Sequence, residues 1–202
     1  GLGGTQFTGA HTDYEKALQT AVVINKNSPV YKVNGAIKYI NYDNVEEKPL
    51  VENNEVYLPI KALATALGYY WEEDYDAGYA MLRNDTMEFV LSDGILRQQV
   101  NSGAYNEIIN NIILKYGKTY IPVRYYAQAT GKSVAYMGDY IVADYKTRIP
   151  DIVSGQFFEE LKTEFSKYIG NGMTGSIFHV AQSANANDDN PGTADAPFLT
   201  LA

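Results

Sequence analysis

An α+β fold is predicted, with antiparallel sheet and short helices arranged in two similar units. Two alignments within the chain predict it. "YLPIKALATALG" (57–68) and "YIPVRYYAQATG" (120–131) match without a gap, Tyr57 with Tyr120, Pro59 with Pro122, Lys61 with Arg124, Ala64 with Ala127 and Gly68 with Gly131, each 63 positions apart. Upstream, "AVVINKNSPVYKVNG" (21–35) matches "FVLSDGILRQQVNSG" (89–103), with Val33 opposite Val100 at an offset of 67. A third observation is compositional: 46% of the residues are hydrophobic and 20% charged, enough apolar surface to fill a core.

The elements follow in order. Residues 1–20 read as an N-terminal linker. From 21 to 35 a short apolar strand passes a turn and gives a second strand ending at Val33-Asn34-Gly35. Val56 to Leu58 form a third strand that runs into Pro59, placed where a helix begins and a missing N–H costs nothing. Ile60, Leu63, Ala64 and Leu67 recur at i, i+3, i+4 and i+7, one face of a helix, and Gly68 can take the left-handed angles that end it. "YYWEEDYDAGYAMLR" (69–83) supplies further strands. The second unit repeats the plan: strands in 89–103, a strand at Thr119 to Ile121, a helix stopped by Gly131, and a hairpin around Met137-Gly138-Asp139 between 133–136 and 140–145. Each unit is expected to read strand, strand, strand, helix, strand, strand, over about 21–88 and 89–149.

Charge and composition exclude several classes. Sixteen Lys and Arg stand against 24 Asp and Glu, a net charge of −8, which disfavours nucleic acid and anionic membranes, both of which reward a basic face. No apolar run approaches the roughly 18–20 residues of a membrane span. With no cysteine, disulfides, thiolate metal sites and cysteine nucleophiles are absent together. Eighteen tyrosines stand out; each offers a flat apolar face and a polar tip, suited to half-wet sheet surfaces and to stacking on sugars.

The doubled pattern of a Val-Asn-Gly hairpin, then a strand entering "(L/I)P(I/V)(K/R)…G", resembles the stalk-type domain first known as the copper amine oxidase N-terminal domain, over about residues 21–149. That family is common in secreted proteins of Gram-positive bacteria. Its usual helix reads closer to V-P-L-R-x-x-A-E-x-L-G; here Lys61 replaces the arginine in one copy, and Thr65 and Gln128 stand where glutamate is usual. The resemblance implies a non-catalytic module that acts as a spacer, a cell-wall contact or a carbohydrate contact. It does not imply amine oxidation. That chemistry needs several histidine ligands, and this chain has only His11 and His179, both outside the repeat. No cofactor and no metal are expected.

Beyond Pro150 the character changes. Residues 150–176 are expected to form an amphipathic helix and a Gly-rich linker. Ser154 is the candidate N-cap, Phe157, Phe158, Leu161, Phe165 and Ile169 form the apolar stripe, and Gly170 is the stop. "GNGMTG" (170–175) satisfies G-x-G-x-x-G, but a helix precedes it and a strand follows, the reverse of a dinucleotide site. Residues 177–202 resemble the entry to a right-handed parallel β-helix of the kind found in secreted polysaccharide lyases and glycoside hydrolases. Phe178-His179-Val180 match its first strand, Asn190 to Thr193 its loop, and Pro197, Phe198 and Thr200 the entry to its capping helix. One strand of such a fold cannot stand alone, since each coil buries its face on the next. The chain is therefore expected to be a truncated piece whose remaining β-helix is its first partner.

Other motifs carry less. "NANDDN" (185–190) lacks the glycine and closing glutamate of a calcium loop. "WEEDYD" (71–76) places Glu72, Glu73, Asp74 and Asp76 beside the lone tryptophan, an arrangement better read as a solvated strand end than as paired catalytic carboxylates. No catalytic residues are assigned within the chain. The carbohydrate-stacking candidates are Tyr69, Tyr70, Trp71, Tyr75 and Tyr79. The expected function is that of a non-catalytic accessory module, spacer or binder of carbohydrate or cell wall. Its parent would be a secreted or cell-surface bacterial β-helix enzyme with its catalytic residues beyond 202. The alternative is a binding module of a surface adhesin.

Overall fold

The computed structural model describes residues 12–109 and 112–169. A short helix α1 (Asp13–Ala17) comes first, inside the stretch expected as a linker. It is held by a capping box in which the Thr12 side chain accepts from the Glu15 N–H and the Glu15 carboxylate accepts from the Thr12 N–H. Strands β1 (Val22–Asn25), β2 (Val30–Val33), β3 (Ala36–Tyr39), β4 (Leu50–Glu52) and β5 (Glu55–Pro59) lead to α2 (Ile60–Leu67), then β6 (Tyr70–Asp74) and β7 (Tyr79–Arg83). The order then recurs: β8 (Met87–Ser92), β9 (Ile95–Val100), β10 (Asn106–Ile109), β11 (Ile113–Lys115) and β12 (Lys118–Pro122), α3 (Arg124–Thr130), β13 (Ser133–Met137) and β14 (Tyr140–Asp144). Helices α4 (Ile149–Ile152) and α5 (Gly155–Ser166) follow.

The fold is thus α+β with antiparallel pairing, but the expected six-element unit is not what is seen. Among the described residues five strands, not three, precede α2, and five more precede α3. The two that were not expected in the first half, β3 and β4, span four and three residues, too few positions to show an alternation in sequence.

Strand pairing crosses between the halves. One five-stranded sheet has the order β13-β14-β1-β2-β3, so the last hairpin of the second half completes the first three strands of the first. A second has the order β10-β9-β8-β7-β6, the converse combination. The third, β11-β12-β5-β4, joins the central hairpins of both, with Tyr120 registered on Pro59 and Pro122 on Tyr57. Asn34-Gly35, at φ of 51° and 85°, supply the two left-handed positions that turn β2 into β3. Gly68 and Gly131 end α2 and α3 at φ of 70° and 67°, the left-handed stop the sequence signalled.

The inner faces of all three sheets enclose the main core with α2 and α3. Val22, Ile24 and Tyr31 come from the first sheet, Leu82, Phe89, Leu91 and Leu96 from the second, and Leu58 and Ile121 from the third. Ile60, Leu63 and Ala64 of α2 are buried there, with Leu67 packed at the margin. A smaller core lies on the outer side of the first sheet. There Leu161 and Phe165 of α5, both 0% exposed, pack with Val23, Val30, Val142, Leu18 and Ile152. The apolar stripe read from sequence is therefore the docking face of α5, with Phe158 and Ile169 at its edge.

The seam where α5 meets the N-terminal segment is tied by charge. Lys32, 5% exposed in its side chain, puts its ammonium 2.6 Å from Glu164. The Tyr14 hydroxyl donates to the same carboxylate oxygen at 2.6 Å, and Lys32 lies 5.0 Å from the Tyr14 ring centroid. A second knot clasps α1: the fully buried Asp144 accepts from Thr20 and from Arg148, whose guanidinium also donates to the Lys16 and Ala17 carbonyls at the end of that helix.

Candidate functional site

Strand alternation decides where the five aromatic candidates go. Successive residues of β6 point to opposite faces, so Trp71 turns inward against the main core while Tyr70 turns outward and is 51% exposed. Tyr69, just ahead of β6, also packs against the core. Tyr75 sits exposed in the β6–β7 hairpin, and Tyr79 is half-buried at the start of β7. The structure therefore gathers Tyr70 and Tyr79 on one outer face and separates Tyr69, Trp71 and Tyr75 from them. The carboxylates of 72–76 divide likewise. Glu72 accepts the Tyr70 hydroxyl at 2.6 Å, Glu73 accepts the Thr119 N–H at 2.7 Å, and Asp74 accepts the Ala77 N–H at 3.1 Å.

The outer face of the second sheet can be read row by row. Tyr70 is registered on Arg83, Arg83 on Glu88 and Glu88 on Gln99. Beside Gln99 lies Tyr105, one residue ahead of β10, 47% exposed, with its hydroxyl donating to Glu88. The Arg83 guanidinium stacks 5.0 Å from the Tyr70 ring centroid. The next row runs Glu72, Met81, Val90, Arg97 and Glu107, with Arg97 and Glu107 3.7 Å apart. Carboxylate acceptors hold both outer phenols protonated. The Glu72 bond raises the Tyr70 pKa and the Glu88 bond raises that of Tyr105, and Tyr79 adds to each.

Tyr105 was not among the candidates. It stands in the turn-like "NSGAYN" (101–106) and reaches the face only because β10 pairs with β9. The equivalent outer face of the first sheet is the one covered by α5. No described helix has its apolar residues in a cluster over the second sheet's outer face.

The positions of the family's helix pattern have partners of their own. Arg124 of α3, the usual arginine, pairs with Glu55 on β5 in the other half. Lys61 of α2 lies 5.8 Å over the Trp71 ring, and the Thr65 hydroxyl donates to the Lys61 carbonyl at 3.0 Å. Among the described residues no group of three or more His, Cys, Asp or Glu side chains is placed to hold a metal, and no helix is long and apolar enough to cross a membrane. His11, His179, the Gly-rich run at 170–175 and the β-helix-like stretch 177–202 lie outside the described residues.

The fold defines an α+β domain of antiparallel sheet with short helices. The chain belongs to the family of the copper amine oxidase N-terminal domain, whose profile matches residues 32–142, more than half of its length. No curated protein and no solved structure matches it.

Proposed function

We propose that this chain is the carbohydrate-contacting accessory module of a secreted or cell-surface bacterial protein. Its enzymatic part would be a polysaccharide-degrading parallel β-helix, of which residues 177–202 resemble the beginning. Membership of an accessory-domain family supports the non-catalytic role. The observation that carries the carbohydrate reading is the open outer face of the second sheet, where exposed tyrosines stand beside carboxylate and guanidinium partners. Sugars are held by that combination, since aromatic faces stack on their C–H surfaces and charged groups hydrogen-bond their hydroxyls.

The test is retention of the purified chain on a panel of insoluble and soluble polysaccharides and on bacterial cell walls, with product release measured in parallel. Retention without release of reducing ends or unsaturated sugars is expected. Turnover by the chain itself, or retention on nothing in the panel, would overturn the reading.

A further inference from the structure

We propose that the row Tyr70–Arg83–Glu88–Gln99–Tyr105, across four strands of the second sheet and the residue that leads into the fifth, is the binding platform, and that its ligand is an uncharged polysaccharide laid across the strands. This rests on the accessory, carbohydrate-contacting reading above and adds the surface and the ligand class.

Three observations carry it. The first is shape. Tyr70, Arg83, Glu88 and Gln99 are registered strand to strand, and Tyr105 stands one residue ahead of β10. Four steps of about 4.8 Å span roughly 19 Å of backbone, with the Tyr105 side chain reaching back to Glu88. That length suits several consecutive sugar units, not a single one. The second is chemistry. An exposed phenol stands at each end. Between them Arg83 is a donor, Glu88 an acceptor that also takes the Tyr105 hydroxyl, and Gln99 an amide whose nitrogen donates to the Gly103 carbonyl and whose oxygen is an acceptor. Both phenol hydroxyls are already engaged, Tyr70 with Glu72 and Tyr105 with Glu88. Those bonds fix the rings in place, and a preorganised aromatic binds with less loss of side-chain freedom.

The third is charge. The outer face carries the carboxylates Glu72, Asp74, Glu88 and Glu107 against the guanidinium groups of Arg83 and Arg97, within a chain of net charge −8. A polyuronate would meet like charge at the face and from the whole molecule. An uncharged chain avoids that repulsion and can still hydrogen-bond to the donors and acceptors of the row. The comparison with the first sheet sharpens the point. There the equivalent face is mainly apolar, its one buried ammonium, Lys32, paired with Glu164, and takes α5, whereas here charged and polar residues occupy the row and would be poorly matched to an apolar helix.

The experiment is affinity electrophoresis of the whole chain in gels containing hydroxyethylcellulose, soluble N-acetylated chitin oligomers or polygalacturonate. The variants are Tyr70→Ala and Tyr105→Ala, with Tyr75→Ala as an exposed tyrosine away from the row. Expected is retardation by an uncharged glycan, a loss of about tenfold in affinity for each row variant, no change for Tyr75→Ala, and no retardation by polygalacturonate. Circular dichroism identical to the unaltered chain shows that the exposed substitutions leave the fold intact. Retention by an uncharged glycan that survives both row substitutions would sink this platform while leaving the accessory reading standing. Stronger binding to polygalacturonate would overturn the ligand class. No retardation of the unaltered chain by any of the three would remove the platform and the carbohydrate reading together.

Discussion

The two charges that fasten α5 to the first sheet should not be equally costly to remove. Lys32 is 5% exposed in its side chain and Glu164 is 26% exposed. In the sheet Lys32 is registered on Val23 and Ile37, so its stem runs between apolar neighbours. Lys32→Met keeps that packing and leaves a carboxylate that still reaches water and still accepts the Tyr14 hydroxyl. Glu164→Gln instead leaves a nearly dry ammonium facing a neutral amide. Removing one partner from a fully buried pair costs about 3–5 kcal/mol. The expected losses are therefore about 3 kcal/mol for Glu164→Gln and about 1 kcal/mol for Lys32→Met, whose surviving charge is solvated. For a chain of this size those losses lower Tm by roughly 6–12 °C and 2–4 °C respectively. Urea and thermal unfolding at neutral pH, followed by circular dichroism, would measure both, together with the double variant, which should resemble Lys32→Met alone. A Lys32→Met loss equal to or greater than that of Glu164→Gln would refute the argument that solvent access of the surviving charge decides the outcome.

Other outcomes follow from burial and backbone geometry. Desolvation pushes the phenols of Tyr14, Tyr31, Tyr120 and Tyr126 well above the usual value near 10. They stay protonated in the folded chain where the unfolded chain ionises, so their contribution is complete below pH ~10 and is lost as pH rises above it. Ultraviolet titration should show exposed tyrosines ionising first and the buried set ionising only in a step that coincides with loss of secondary structure. A single gradual titration of all the tyrosines would contradict this. Gly131→Ala should cost about 1 kcal/mol through strain alone, because φ is +67° and nothing lies within 4 Å of an added Cβ. Gly131→Asn should recover part of that loss in the same unfolding assay. Phe165→Ala, at a position 0% exposed, should cost about 3–5 kcal/mol. Phe157→Ala, with a half-buried ring 6.4 Å from Tyr14, should cost well under half of that.

What could be read from sequence was local. Gly68 and Gly131 advertise their helix ends, the i, i+3, i+4, i+7 faces of α2 and α5 are visible as spacing, and Met137-Gly138-Asp139 marks its hairpin. The short strands β3 and β4 were not visible, because three or four residues without alternation carry no period. The exchange of hairpins between halves depends on pairings such as Val22 with Ala143, far apart in the chain, and no local pattern records them. The outer face of the second sheet was legible only in part. Tyr70 and Tyr79 stood among five aromatic candidates without being set apart from Tyr69, Trp71 and Tyr75, although strict alternation along β6 requires Trp71 to face away from Tyr70. Tyr105 could not be singled out, since only the ladder between β9 and β10 brings it to Glu88. The partner of Arg124, Glu55, was equally hidden, because it comes from the other half.

The bond between Tyr14 and Glu164 joins residues near the first and last of those the structure describes. Chain therefore enters and leaves at neighbouring points on one side, beside α1 and α5. Residues 14 and 164 thus hang side by side, like the two strands of thread that hold a pendant. Tension along that thread would fall first on α1, α5 and the sheet that contains β1. The sheet of β6 to β10, across the main core, lies off that path and would be loaded only after those had parted.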